Sequence, residues 1–107
     1  MIRTLMAVAL TIGMLLLTAA ALAQNDAKDL YSGKCAVCHG PDGAGKTVMG
    51  KKLKIEDVRT LVSKHSAEEM MGVVEKGKPP SMKAYGKDFS KDQIKGLVEY
   101  YRGLAKQ

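Results

Sequence analysis

Two thiols three residues apart, with an imidazole directly after the second, stand at Cys35-Ala36-Val37-Cys38-His39, and they are the only cysteines of the 107-residue chain. On a helical turn, positions three apart point the same way, so Cys35 and Cys38 can each add to one vinyl group of a single porphyrin. His39 then comes under the ring to ligate the iron. C-x-x-C-H is the attachment signature of a c-type haem. Three other chemistries use the same residue types. A redox-active C-x-x-C belongs beside a βαβ pattern, and no β-rich, period-two run lies nearby. Structural zinc needs four ligands, whereas the chain offers Cys35, Cys38, His39 and only the distant His65. A Cys35–Cys38 disulfide suits an oxidising compartment but leaves His39 without a role.

The longer run Cys35-Ala-Val-Cys-His39-Gly-Pro-Asp-Gly-Ala-Gly45 resembles the haem-binding turn of small class I (monohaem) c-type cytochromes, and the likeness extends more loosely from about Ala27 to about Ala105. The resemblance implies an all-α fold, with three to four helices wrapped around one covalently attached haem c. It also implies that a carbonyl at or near Pro41 accepts the Nδ1 proton of His39, leaving Nε2 for iron. First and last helices cross near perpendicular in this family, which makes Gly33 and Gly96 candidates for a close contact.

The elements that must position these groups are legible in part. Asn25 or Asp26 can cap a first helix in which Ala27, Leu30, Tyr31, Cys35 and Cys38 recur at three- and four-residue steps. Gly40, Pro41, Gly43 and Gly45 end it. From Lys46 to Leu61 the pattern is irregular and predicts loop with a turn of helix. Ser66-Ala-Glu-Glu69 is a capping box opening a helix through Met70, Val73 and Val74 to a stop at Gly77. Ser90-Lys-Asp-Gln93 opens the last helix, whose stripe is Ile94, Leu97, Val98, Tyr101 and Leu104.

A haem held by one histidine is either five-coordinate and reactive or six-coordinate and suited to moving electrons. Gly77-Lys-Pro-Pro-Ser-Met-Lys-Ala-Tyr-Gly86 reads as a helix-free strap, in which Pro79 and Pro80 restrict the backbone and Met82 can reach inward. It resembles the family's distal methionine loop, so His39 and Met82 are the expected axial ligands. The family commonly places proline directly after that methionine, whereas Lys83 follows here. Competing ligands are Met49, Met70, Met71 and His65, all at helical or pre-helical positions. Tyr85 is expected on the haem edge, on a propionate or in the core, and Arg59 brings a charge that could pair with a propionate.

Residues 1–23 have the form of a cleavable signal peptide: Arg3 is the only charge before Asp26, an apolar run follows, and Ala21-Leu22-Ala23 suits signal peptidase. An uncleaved anchor is the rival reading. Cleavage leaves one domain, 24–107, expected in the periplasm. With no Trp and one Phe, a domain of that size has a marginal core, and haem would complete it. Sixteen Lys and Arg then face eleven Asp and Glu. Nucleic acid is not expected as a partner, because aromatic interleaving and an arginine stripe are absent; an acidic protein partner or an anionic membrane surface suits the charge better. Lys34, Lys46, Lys83 and Lys87 flank the expected haem crevice. The expectation is an exported monomer, not an enzyme, that carries single electrons between larger redox proteins. Its rivals are a haem peroxidase or gas-binding protein with a vacated sixth site, and a membrane-tethered haem module of an oxidase or dehydrogenase.

Overall fold

A computed structural model describes residues 26–107, so the expected signal peptide and the boundary after residue 23 lie outside the described residues. The first helix, α1, is described over 26–34. Asp26 is already helical, and Asn25, the other capping candidate, lies outside the described residues. One turn at Cys35 joins α1 to α2 (Ala36–His39), and α3 (Val48–Lys52), α4 (Val58–Lys64), α5 (Ala67–Lys76) and α6 (Lys91–Gly103) follow. A 3₁₀ turn, Leu104–Lys106, extends α6. Among the described residues there is no strand, only an isolated bridge between Lys78 and Met82. The all-α expectation holds.

The two capping boxes form as read. Ser66 accepts from the Glu69 amide while Glu69 reaches back, and Ser90 and Gln93 do the same. The irregular stretch proves more ordered than the pattern suggested. Thr47 caps α3 by accepting from the Gly50 amide, and Asp57 caps α4 by accepting from that of Arg59. Helices of five and seven residues are too short for a 3.6-residue period to show, so these side-chain caps were the available signal.

Tyr31, Val58, Leu97 and Leu104 form the buried centre of the fold. Ala27 and Tyr31, four residues apart, give α1 its inward face, and the Tyr31 ring lies 5.2 Å from Tyr100 and 5.9 Å from Tyr101 on α6. A Cβ at Gly96 would stand 3.5 Å from that of Ala27, while Gly33 has nothing within 4 Å. The expected Gly33–Gly96 contact is therefore corrected. Gly33 falls two residues past Tyr31, about 200° round the helix, and faces solvent.

Candidate functional site

A cavity of about 950 Å³ opens between α5, α6, the Cys35–His39 turn and the strap after α5. That is near the top of the usual range of about 300–1,000 Å³ for ligand sites. Its walls are mostly apolar: Met70, Val73 and Val74 from α5, Leu97 and Val98 from α6, and Leu53, Ile55 and Leu61 from the stretch before α5. Cys35, His39, Met82 and Tyr85 all line it. Cys38 is half-buried and is not among the lining residues.

Local structure explains how the turn is held. The Cys35 amide donates to the Tyr31 carbonyl, and the His39 amide donates back to that of Cys35, so helical geometry carries through both thiols. The buried Tyr31 hydroxyl donates to the Gly40 carbonyl at 2.6 Å and ties the end of α2 to α1. Gly45 follows at φ +69°, with its amide on the His39 carbonyl; a side chain there would run into the Ile55 carbonyl, 2.6 Å from where its Cβ would stand. Cys35 and Cys38 form no disulfide with each other. Burial, with Cys38 alongside, pushes the Cys35 thiol up to about 11.

Burial pulls the His39 pKa below 6.5, which keeps the imidazole neutral, the form that ligates metal. Its Nδ1 is buried without a hydrogen-bond partner, so the carbonyl expected near Pro41 does not accept from it here. The one other such orphan among the described residues is the hydroxyl of Tyr101, whose ring meets that of His39 edge-on at 5.1 Å. Two orphaned polar atoms bordering one apolar cavity are unusual, because buried polar groups are nearly always paired. With two adjacent thiols and a neutral imidazole beside them, the residues fit a large, mostly apolar group that brings its own metal. Tyr101 was legible only as part of the α6 stripe; its hydroxyl within an apolar run was the signal for more.

The strap after α5 closes on itself. Lys78 and Met82 exchange both amide–carbonyl bonds, at 2.8 and 2.9 Å, and the amides of Tyr85 and Gly86 bond back to the Val74 and Glu75 carbonyls. Gly77 turns the chain at φ +73°; a Cβ there would lie 2.7 Å from the Ala84 nitrogen and 2.8 Å from the Met82 oxygen. The competitors are placed differently. Met49 is exposed, and neither it nor Met71 lines the cavity. Met70 lines it, but its sulfur accepts from Arg102 at 3.7 Å. His65 stands at the rim with Nδ1 held by Glu69 at 3.0 Å, a contact that lowers the Glu69 pKa. Tyr85 stacks on Phe89 with centroids 5.2 Å apart, and burial raises its pKa. Arg59 does not line the cavity: it pairs with Asp57 and reaches the Leu104 and Gln107 carbonyls. The lysines that line the cavity are Lys54, Lys76 and Lys78, none of them among the four nominated from sequence.

A family model described as "Cytochrome C oxidase, cbb3-type, subunit III" matches residues 22–100. Among solved structures, the c-type cytochrome KustC0563 is similar at 28% identity with a TM-score of 0.67, over 72% of this chain and 94% of that one. A comparison with curated proteins finds no match. The cavity, the C-x-x-C-H turn and the family match converge: the chain belongs to the cbb3-type oxidase subunit III family of cytochrome c domains and is a c-type cytochrome, a haem c protein of electron transfer.

Proposed function

We propose that the protein is an exported carrier of single electrons in which Cys35 and Cys38 hold the haem covalently and His39 and Met82 are its axial ligands. The observation that carries this reading is that one apolar cavity is bordered by Cys35 and His39 on the attachment turn and by Met82 on a strap tied down at both ends. Haem c, when bound, supplies a one-electron couple. The chain supplies the rest. His39 is kept neutral by burial. The strap holds Met82 against the cavity, and the surrounding Leu, Ile and Val side chains exclude water. Methionine opposite histidine raises the potential above that of a bis-histidine site, and two ligands from the protein leave no vacancy for an added one.

The test is carbon monoxide added to the reduced holoprotein, followed by its visible spectrum. A carrier leaves the spectrum unchanged; prompt formation of a carbonyl adduct by the wild-type protein would replace this reading with the peroxidase or gas-binding one. A second reading has specific support, since the matched family is described as an oxidase subunit. In that reading the protein is a haem module docked permanently on an oxidase and held by its leader. Among the described residues no helix is long and apolar enough to cross a membrane. Intact mass separates the two. The carrier has lost residues 1–23 and gained one haem, whereas the tethered module keeps the apolar run.

A further inference from the structure

Between α5 and α6 the backbone of the strap is anchored at two places: Lys78 and Met82 bond to each other, and Tyr85 and Gly86 bond back to the Val74 and Glu75 carbonyls of α5. Lys83 and Ala84 fall between the anchors. Among the described residues these two make no backbone–backbone hydrogen bond, and the residue directly after Met82 is a lysine, whose φ no ring fixes. The chain leaving the candidate ligand therefore has no backbone tie of its own for two residues.

A side chain supplies one. Lys83 Nζ lies 2.9 Å from Asp88 Oδ2 and 5.4 Å from the centre of the Tyr85 ring. The far end of this contact is fixed, because Asp88 and Phe89 both donate their amides to the Tyr85 carbonyl, and Phe89 stacks on the Tyr85 ring and packs against the buried centre of the fold. Lys83 is thus joined to the turn that leads into α6. The hydrogen bond to Asp88 raises the Lys83 pKa, which keeps the amine charged through the neutral range. Lys87, on the same turn, forms no ion pair among the described residues.

We propose that Lys83 and Asp88 are positioning residues for the sixth ligand: their ion pair latches the stretch after Met82 to the turn before α6 and so holds the thioether toward the cavity. The proposal rests on the reading of Met82 as an axial ligand. Both side chains are exposed, 68% and 45%, so the latch is weak and yields to salt; an exposed pair shifts an equilibrium by up to about fivefold. The grip of Met82 on iron then loosens as ionic strength rises.

Titration of the oxidised holoprotein with imidazole tests this at about pH 8, where the added base is neutral and reaches iron only as Met82 leaves. At low salt Lys83→Gln and Asp88→Asn are each expected to tighten imidazole binding about two- to fivefold. The double variant should gain no more than the larger of the two single effects, because one interaction is removed in all three. Lys83→Arg, which keeps the charge, and Lys87→Gln, which lies outside the latch, should bind as the wild type does. Salt at about 1 M should tighten binding to the wild type by a similar factor and leave the double variant unchanged. Additive single effects, a Lys87→Gln effect as large as that of Lys83→Gln, or equal salt responses in wild type and double variant overturn the proposal. Failure of the axial reading looks different: an iron–thioether band at the red end of the visible spectrum that survives in Met82→Ala.

Discussion

At Tyr31 a single hydroxyl joins α1 to the attachment turn, and its removal is a sharp test of how that turn is held. Tyr31→Phe keeps the ring against Tyr100 and Tyr101 but leaves the buried Gly40 carbonyl without its donor. A loss of about 1–3 kcal/mol is expected, read from the denaturant midpoint of the holoprotein. His39 carries the pH dependence. Burial holds its folded-state pKa below 6.5, so the folded chain binds a proton less readily than the unfolded one. Its contribution to stability is complete above about 6.5 and is lost as pH falls through the lower folded value. Cys35, Cys38 and His39 stand out as candidates without a structure because they are contiguous and their chemistry is encoded in spacing. For Tyr101 the sequence shows only a hydroxyl within the apolar α6 stripe; that the hydroxyl is cut off from water is a matter of packing.

At the scale of elements, the capped helices were legible and the short ones were not. Ser66 and Ser90 announce their helices through a reciprocal pair three residues on, and each cap rests on a local bond that tertiary packing does not need to supply. Ser66→Ala should cost about 1 kcal/mol, measured by thermal unfolding. The α3 and α4 helices lack an apolar period, and what positions them is the turn's own backbone: the Ile55 amide donates to the Gly50 carbonyl and that of Val58 to Gly43. The strap was legible as a strap from its prolines, but its closure is a backbone feature. Gly77 is the position that closure depends on. Gly77→Ala puts a Cβ into the Ala84 nitrogen at a left-handed φ, a strain of about 1–3 kcal/mol or loss of the turn. The expected result is a holoprotein with normal covalent haem content but a weakened Met82 ligand, seen as a lowered midpoint potential. A Gly77→Ala protein with wild-type potential would mean the strap does not govern the sixth position.

For the whole molecule, the decisive feature is a core too small for the space it encloses. Tyr31, Val58, Leu97 and Leu104 cluster to one side, while α5 and the strap stand across a cavity whose apolar walls need a filling. The composition already pointed there, with no Trp and one Phe. Which residues form the walls was not legible, because Leu53, Ile55 and Leu61 come from a stretch without period and only the fold brings them to α5. Cys35→Ala with Cys38→Ala should therefore lose covalent haem and much of its helix content, since the filling goes with the attachment; full helicity without haem would contradict this. The central claim is that the Cys35–His39 turn and Met82 address the same iron from opposite sides. The most direct measurement is the visible spectrum of the oxidised holoprotein, wild type beside Met82→Ala. A weak band at the red end, the mark of iron–thioether ligation, is expected in the wild type and lost in Met82→Ala, while His65→Ala and Met70→Leu retain it. A band that survives in Met82→Ala would contradict the account and move the ligand off the strap.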